Sequence, residues 1–165
     1  MINLICAIDE NFAIGYNNKL LYHLKKDMKF FREKTLGSFC IMGKNTFLSL
    51  PKPLEKRTNV VLTRGEFKTN YHNVVVEHDL DKALQLYKTT GSQDKNIFLI
   101  GGSEIYKQAL PYVDVAYITF IASKAKQYDS IFPFLDLLKD FKIVETTYDC
   151  EDNIHFNILK FERKN

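Results

Sequence analysis

Short apolar segments of strand length alternate with segments of helical periodicity along most of the chain. The predicted strands are Asn3–Ile8, Phe39–Met42, Asn59–Thr63, Val74–Glu77, Ile97–Ile100, Val115–Ile121, Ile143–Thr147 and Ile154–Phe161. The predicted helices are Lys25–Thr35, Lys44–Leu50, Leu80–Thr90 and Glu104–Leu110, with Asp79 as an N-cap and Gly91 as a C-terminal stop. Because strand–helix–strand repetition produces parallel strands, this alternation predicts an α/β fold with a central, mostly parallel mixed sheet of eight strands and four helices on its two faces.

The first, second and fifth predicted strands are apolar nearly throughout, which is typical of central strands covered on both faces. The last two strands are joined around residues 150–153 and are predicted to form a C-terminal antiparallel hairpin. No segment rich in proline, glycine or serine divides the chain, and 165 residues with 45% hydrophobic content suffice for one core. We therefore expect a single domain over residues 1–165.

Several classes of function are disfavoured by what the sequence lacks. It contains no P-loop, no G-x-G-x-x-G fingerprint and no G-x-S-x-G elbow, and its four histidines have no metal-ligand spacing. A net charge of +3 without a basic stripe between aromatic residues gives no support for nucleic-acid binding. We expect no metal site and no nucleic-acid partner.

The sequence also bears on the location of the protein. The first segment, MINLICAIDENF, has no basic n-region and is predicted to be a buried strand, and no apolar run approaches the roughly 18 residues of a membrane span. Cys6, Cys40 and Cys150 are odd in number and widely spaced, and the first two lie in apolar runs that suit core packing. We expect a cytoplasmic protein without a membrane partner.

Three predicted strand ends carry groups that suit an anion. Gly43 leads directly into a helix whose first N–H groups are free, Gly101 and Gly102 repeat that arrangement, and Thr63 and Arg64 end a third strand. Each junction alone is weak support, because a glycine between strand and helix is often only a turn. Since ligands bind beyond the carboxyl ends of parallel strands, the three together favour a large phosphorylated ligand such as a dinucleotide.

The segment LLYHLKKDMKFF places a carboxylate on an apolar helix face. Leu24, Met28 and Phe31 fall at i, i+4 and i+7 and form the predicted stripe, and Asp27 points along it. A desolvated carboxylate is costly unless it is paired or used. Asp27 is therefore either a structural partner of the helix N-terminus or a functional group.

Four segments, IGYNNKLLYHLKKDMKFFREKT, IMGKNTFLSLPKPLEKRTNVVLTR, LIGGSEIY and AYITFI…YDSIFP, resemble successive signatures of the dihydrofolate reductase family in order and spacing. The resemblance implies NADPH as hydride donor and reduction of 7,8-dihydrofolate to tetrahydrofolate, a step of one-carbon metabolism and thymidylate synthesis. It also implies antifolate inhibitors as ligands and a monomer.

The resemblance implies roles for individual residues. Asp27 matches the ionisable side chain that binds the pterin, with Thr119 supporting it and Tyr22 as a third catalytic candidate. Arg57 would pair with the glutamate carboxylate of the substrate. The implied walls of the substrate pocket are Ile5, Ala7, Leu20, Met28, Phe31, Leu50, Leu54 and Ile100. The implied cofactor residues are Ala7, Ile14, Gly15, Asn18, Gly43, Lys44, Asn45, Thr46, Leu62, Thr63, Arg64, Ile100, Gly101, Gly102, Ser103, Glu104, Ile105 and Tyr106, with a cis peptide bond between Gly101 and Gly102.

The chain departs from the family pattern just before the predicted first helix. Leu21 and Tyr22 stand where the family usually has Pro-Trp, and Lys25 stands where it often has proline. Without a proline at position 21 the backbone φ angle is not locked, so we expect more freedom in the segment from Asp9 to His23 that covers the family's active site.

Two other functions stay open at this point. A related reductase of flavin biosynthesis shares the fold and NADPH but acts on a ribosylated pyrimidine, and it would not need Arg57 or the pair of Asp27 and Phe31. A non-catalytic ligand-binding or RNA-binding protein could use the same scaffold. Measuring the oxidation of NADPH with dihydrofolate and with the pyrimidine would distinguish these functions.

Overall fold

A computed structural model describes residues 1–90 and 95–165 of the chain. Its strands are β1 Ile2–Ile8, β2 Ala13–Tyr16, β3 Lys19–Leu20, β4 Phe39–Gly43, β5 Thr58–Leu62, β6 Val74–Glu77, β7 Ile97–Leu99, β8 Val115–Ile121, β9 Ser130–Ile131, β10 Phe141–Glu151 and β11 Ile154–Arg163. Its α-helices are α1 Lys25–Thr35, α2 Lys44–Ser49, α3 Leu80–Thr90, α4 Ser103–Ala109 and α5 Phe134–Asp140, with a 3₁₀ turn at Leu110–Tyr112. No helix among the described residues is long and apolar enough to cross a bilayer.

Eight strands form one mixed sheet in the order β10-β11-β8-β1-β7-β4-β5-β6. The neighbours from β8 to β6 are all parallel, whereas β11 runs antiparallel to both β8 and β10. The predicted eight-stranded sheet and C-terminal hairpin are confirmed. The three strands predicted to be central, now β1, β4 and β7, lie side by side in the middle.

The sheet is covered on both faces, as alternate residues of its central strands show. Ile41 of β4 and Val60 of β5 belong to the larger apolar core, whereas their neighbours Met42 and Val61 belong to a second one. Since successive side chains of a strand point to opposite faces, these cores lie on opposite sides of the sheet. The first core includes residues of α3, α4 and α5, and the second includes Phe47 of α2.

Although elements of similar length such as α4 and β7 were predicted, four short elements were not. They are α5 and the three strands β2, β3 and β9, which form a second small sheet. The hairpin of β2 and β3 turns at Asn17 and Asn18, whose φ angles are 49° and 59°, as the favoured two-residue hairpin turn requires. A Cβ atom at Gly15 would lie 2.8 Å from the carbonyl oxygen of Lys19, so only glycine fits there.

The helix ends test the predicted caps. The bounds of α1 and α3 are as predicted, and the Oδ1 atom of Asp79 accepts the Lys82 N–H at 3.0 Å, which confirms the cap. The helix α4 begins one residue earlier than predicted, at Ser103. Gly91, the predicted stop of α3, lies outside the described residues.

The apolar stripe predicted for α1 is only partly correct. Leu24 is buried, but Met28 is 55% exposed, and Thr35 is the one fully buried residue within the helix. The stripe contains only three apolar residues, because most residues of α1 are polar or charged, and it is too narrow to cover a core. The helix therefore rests on the sheet through a few specific contacts.

Candidate active site

A cleft of about 1020 Å³ opens at the carboxyl ends of the parallel strands. It is bordered by the ends of β1, β4, β5 and β7, by the beginnings of α2 and α4, and by the β2–β3 hairpin. Every residue predicted to hold the cofactor lines this cleft. The expectation that separate strand ends meet at one edge of the sheet therefore agrees with the structure.

The beginnings of α2 and α4 lie side by side in this cleft. The Gly43 N–H donates to the carbonyl oxygen of Gly101 at 2.8 Å, and a Cβ at Gly102 would lie 3.6 Å from the Thr46 hydroxyl. The Gly101–Gly102 peptide bond is cis, as the resemblance implied. Neither helix has a side-chain cap, so their first N–H groups are available to an anion.

Positive charge lies at the same end of the cleft. Lys44 and Arg64 both line it, and the Lys44 Nζ atom is 5.5 Å from the centre of the Phe67 ring. Beside them, the Nδ1 atom of His78 is 2.8 Å from the carbonyl oxygen of Thr63. Two cations and two uncapped helix ends suit a ligand with several phosphate groups.

Sequence reasoning missed several residues that line the cleft. They are Cys6, Tyr16, Lys19, Ser49, His78, Leu80, Gln108, Asp129 and Ser130. His78 directly follows β6, so the rule that ligands bind beyond strand ends could have found it. Tyr16, Lys19 and Ser130 belong to the small sheet, which carried no clear signal in the sequence.

Asp27 is hydrogen-bonded beside the cleft. The Thr119 hydroxyl donates to its Oδ1 atom at 2.6 Å, and Thr119 is buried in β8 opposite Ala7 of β1, which lines the cleft. Burial raises the pKa of Asp27 above its ordinary value of 3.8, and the Thr119 hydrogen bond offsets part of that rise. The carboxyl group is therefore poised to take up a proton more readily than a surface aspartate.

Arg57 is a buried cation that has no carboxylate partner in the part of the chain that the structure describes. It is 8% exposed, its Nε–H donates to the Glu55 carbonyl oxygen at 2.9 Å, and Nη1 donates to the Thr35 hydroxyl at 3.1 Å. Across residues 1–90 and 95–165 no ion pair to Arg57 is found, and burial lowers its pKa. The Nη2 side of the guanidinium can therefore receive the carboxylate of a ligand.

The structure does not bring all predicted substrate residues onto the cleft. Ala7, Leu20 and Ile100 line it. The remaining predicted residues, which lie outside its lining, are Ile5, Asp27, Met28, Phe31, Leu50, Leu54, Arg57 and Thr119. Three contacts still connect predicted substrate residues. Thr119 donates to Asp27, Leu50 and Leu54 pack against one apolar core together with Ile100, and the Arg57 guanidinium lies 6.0 Å from the Phe31 ring centre.

Tyr22 holds a contact that the sequence did not reveal. Its hydroxyl donates to the Oδ2 atom of Asp9 at 3.0 Å, and burial raises the pKa of Tyr22. The fully buried Asp9 carboxylate also accepts N–H groups from Asn11, Ala13 and Ala125 at 2.9 to 3.0 Å. Asp9 therefore holds residues near both ends of the segment from Asp9 to His23, for which the absence of a proline predicted more freedom.

Replacing Tyr22 by phenylalanine is expected to lower the free energy of unfolding by about 1 kcal/mol, because one hydrogen bond to a buried acceptor is lost. Tyr71→Phe is the matched control, since the Tyr71 side chain is 55% exposed and its hydroxyl has no partner among the described residues. Urea unfolding of both variants measures the difference. Equal values for both would show that the contact between Tyr22 and Asp9 does not stabilise the fold.

The fold and the cleft define an α/β protein that binds a large phosphorylated ligand at the carboxyl ends of its sheet.

A sequence-family model described as dihydrofolate reductase matches residues 1–163. The chain is 33% identical over 168 residues to the dihydrofolate reductase of Bacillus subtilis, covering all of this chain and 96% of that protein. It is 37% identical over 134 residues to that of Haemophilus influenzae, covering 81% and 79%.

A solved structure agrees with these relatives. It is the dihydrofolate reductase from Enterococcus faecalis complexed with NADP(H) and RAB-propyl, with a TM-score of 0.89, 30% identity, and coverage of all of this chain and 97% of that one. This chain belongs to the dihydrofolate reductase family. It is an oxidoreductase that uses NADPH.

Proposed function

We propose that Asp27, supported by Thr119, is the group on which catalysis by this enzyme depends. The reaction is the NADPH-dependent reduction of 7,8-dihydrofolate to 5,6,7,8-tetrahydrofolate, which supplies one-carbon metabolism. The observation that carries the proposal is the 2.6 Å hydrogen bond that holds a desolvated carboxyl group one strand away from the cleft. The Asp27→Asn variant tests it.

The carboxyl group of Asp27 orients and polarises the pterin. A carboxylate presents two acceptor oxygens, and the amidine-like edge of the pterin presents two donors, so the ring is held in one orientation. NADPH, when bound, supplies the hydride that is added to C6. The adjacent N5 must gain a proton, and Asp27 assists as an indirect general acid that delivers it through water.

Thr119 supports this carboxyl group directly, whereas the hydroxyl of Tyr22 is bound to Asp9. Thr119 donates its hydroxyl hydrogen to Asp27 and so fixes the rotamer of that side chain. Tyr22 packs with Ala7 against the apolar cluster beneath the start of α1, and its hydroxyl is held by Asp9. We assign Tyr22 a wall of the site rather than a donor to the pterin.

The strand ends that line the cleft would hold the cofactor. The N–H groups of residues 44–46 and 103–104 would bind its pyrophosphate, and Thr63 and Arg64 would bind its 2′-phosphate. Ala7, Ile14 and Tyr106 would lie beside the nicotinamide. The uncapped starts of α2 and α4, the two cations and the volume of the cleft support this arrangement.

Replacing Arg64 by alanine is expected to weaken NADPH binding by about 1.5–3 kcal/mol, the usual contribution of a hydrogen bond to a charged group. NADH lacks the 2′-phosphate, so its binding should barely change. Fluorescence titration of both cofactors measures the difference, with Lys68→Ala as the control because Lys68 is an exposed cation outside the cleft lining. Equal losses for both cofactors would assign Arg64 another role.

The whole chain acts as one domain in the cytoplasm. The central sheet takes strands from both ends of the chain, since β1 pairs with β8 and β8 pairs with β11. Cys6 and Cys40 are free thiols within the core, which suits a reducing compartment.

A further inference from the structure

The helix that carries Asp27 is weakly packed for so central an element. Thr35 is its one fully buried residue, and it lies at the far end from Asp27. A helix of 11 residues gains most of its stability from tertiary contacts. The position of the first turn therefore depends on contacts made at the N-terminus of α1.

The N-terminus of α1 is capped by a residue from the other end of the chain. Its own N-cap, Leu24, is a buried apolar residue without a capping side chain. Instead the N–H groups of Lys25 and Lys26 donate to Oε2 and Oε1 of Glu151, at 2.8 and 2.9 Å. These two hydrogen bonds lower the pKa of Glu151, so its carboxyl group remains an acceptor at neutral pH. The side-chain ammonium group of Lys26 donates a further hydrogen bond to Oδ1 of Asp149, on the same hairpin, at 2.9 Å.

Glu151 and Thr119 lie on two different strands that both pair with β11. Glu151 pairs with Ile154 at the tip of the β10–β11 hairpin, whose two turn residues have the φ angles of 50° and 64° that the favoured two-residue hairpin turn requires. Along β11, Ile158 pairs with Thr119 of β8. One sheet therefore fixes the backbone of the first turn through Glu151 and the side chain of Asp27 through Thr119.

We propose that Glu151 is a positioning residue for the reaction, which holds the first turn of α1 so that Asp27 meets the pterin at the edge of the cleft. The proposal rests on the role assigned to Asp27 above. Catalytic groups must be held within about 0.5 Å of the productive position. Loss of two anchoring hydrogen bonds at the turn that carries Asp27 is expected to exceed that tolerance.

Replacing Glu151 by alanine is expected to lower kcat/KM for dihydrofolate roughly tenfold, since displacement of a reacting group by about 1 Å can cost up to a hundredfold. Fraying of the first turn also hydrates Asp27 and removes the main cause of its raised pKa, so the midpoint of the pH–rate profile should move to lower pH. The dissociation constant for NADPH should not change. Glu145→Ala is the matched control, because Glu145 is an exposed glutamate on the same strand.

A second substitution separates capping from general stability. Proline at position 25 removes one of the two N–H groups that need an acceptor, and Leu24 already has the extended φ and ψ of −98° and 113° that a residue before proline adopts. When position 25 is proline, Glu151→Ala should lower kcat/KM clearly less than it does in the wild type, because only one N–H group then loses its acceptor. Glu151→Gln keeps an amide oxygen that can accept a hydrogen bond, so its kcat/KM should fall less than that of Glu151→Ala. The glutamine variant can be measured even if the alanine variant does not fold.

Three results would overturn the proposal. The first is a lower Tm for Glu151→Ala with kcat/KM and the pH midpoint unchanged. The second is a decrease in kcat/KM for Glu151→Ala that is no larger than the decrease for Glu145→Ala. The third is a decrease in kcat/KM for Glu151→Ala that is just as large when position 25 is proline. If Asp27→Asn retains normal turnover, the role of Asp27 has failed instead, whereas a collapse of Asp27→Asn beside an unaffected Glu151→Ala refutes the positioning role alone.

Discussion

Replacing Asp27 by asparagine is expected to reduce turnover at neutral pH on the order of 10²- to 10⁴-fold, the usual contribution of a general acid. Asparagine keeps the size of the side chain and most of its packing but removes the carboxyl group that polarises the pterin and assists protonation at N5. Lowering the pH should restore part of the rate, because substrate that is protonated in solution no longer needs a proton from the enzyme.

The same substitution is expected to leave the ligand-free protein at least as stable as the wild type. The pKa of Asp27 is raised above its ordinary value of 3.8, so keeping the charged form folded costs free energy at every pH above 3.8. That cost reaches its full size above the raised pKa and is absent below 3.8. The difference in Tm in favour of Asp27→Asn should therefore grow as the pH rises and disappear in acid.

Paired pH–rate profiles and thermal melts of both proteins measure these effects. Asp136→Asn is the control, because Asp136 is an exposed aspartate whose partner is Lys139 on the same helix. Normal turnover of Asp27→Asn at neutral pH, or its unfolding, would make Asp27 a structural residue.

Replacing Arg57 by leucine is expected to weaken dihydrofolate binding by about 1.5–3 kcal/mol for each charged hydrogen bond lost to the glutamate carboxylate. A pterin without the glutamate tail should bind nearly as before. Titration of both ligands gives the comparison, and thermal melts show whether loss of the Thr35 contact disturbs the fold. Arg57→Lys should recover part of the affinity, because it keeps the charge without the two-pronged geometry. Similar weakening of both ligands would mean that Arg57 supports the fold.

The sequence predicted the parts of this enzyme that depend on local pattern. Continuous apolar runs placed β1, β4 and β7 at the centre of the sheet, and the rule for strand ends brought together the junctions at Gly43, Arg64 and Gly101. The other residues expected at the cofactor cleft came from the family resemblance. The strands of the small sheet escaped because they lack the continuous apolar run that marked the similarly short β6 and β7, and α5 was missed although it is as long as α4.

Contacts between distant side chains could not be predicted from local pattern, and the contact between Asp27 and Thr119 was expected only from the family resemblance. The bonds from Glu151 to the start of α1 span 125 and 126 residues, and the bond from Asp9 to Ala125 spans 116. The spacing of Met28 placed it on the predicted apolar stripe, but Met28 is exposed, because the burial of a helix face depends on which residues of the sheet pack against it. For Asp27, the cost of a desolvated carboxylate singled out the residue but left a structural and a functional role open, and the family resemblance implied the functional one.

Oxidation of NADPH by the purified protein tests the central claim most directly. The loss of NADPH absorbance is followed with 7,8-dihydrofolate, with a ribosylated pyrimidine of flavin biosynthesis, and without substrate. We predict rapid oxidation with dihydrofolate, equimolar formation of tetrahydrofolate, and no oxidation above background with the other two. Oxidation with the pyrimidine alone, or binding of NADPH without oxidation by either substrate, would contradict the account.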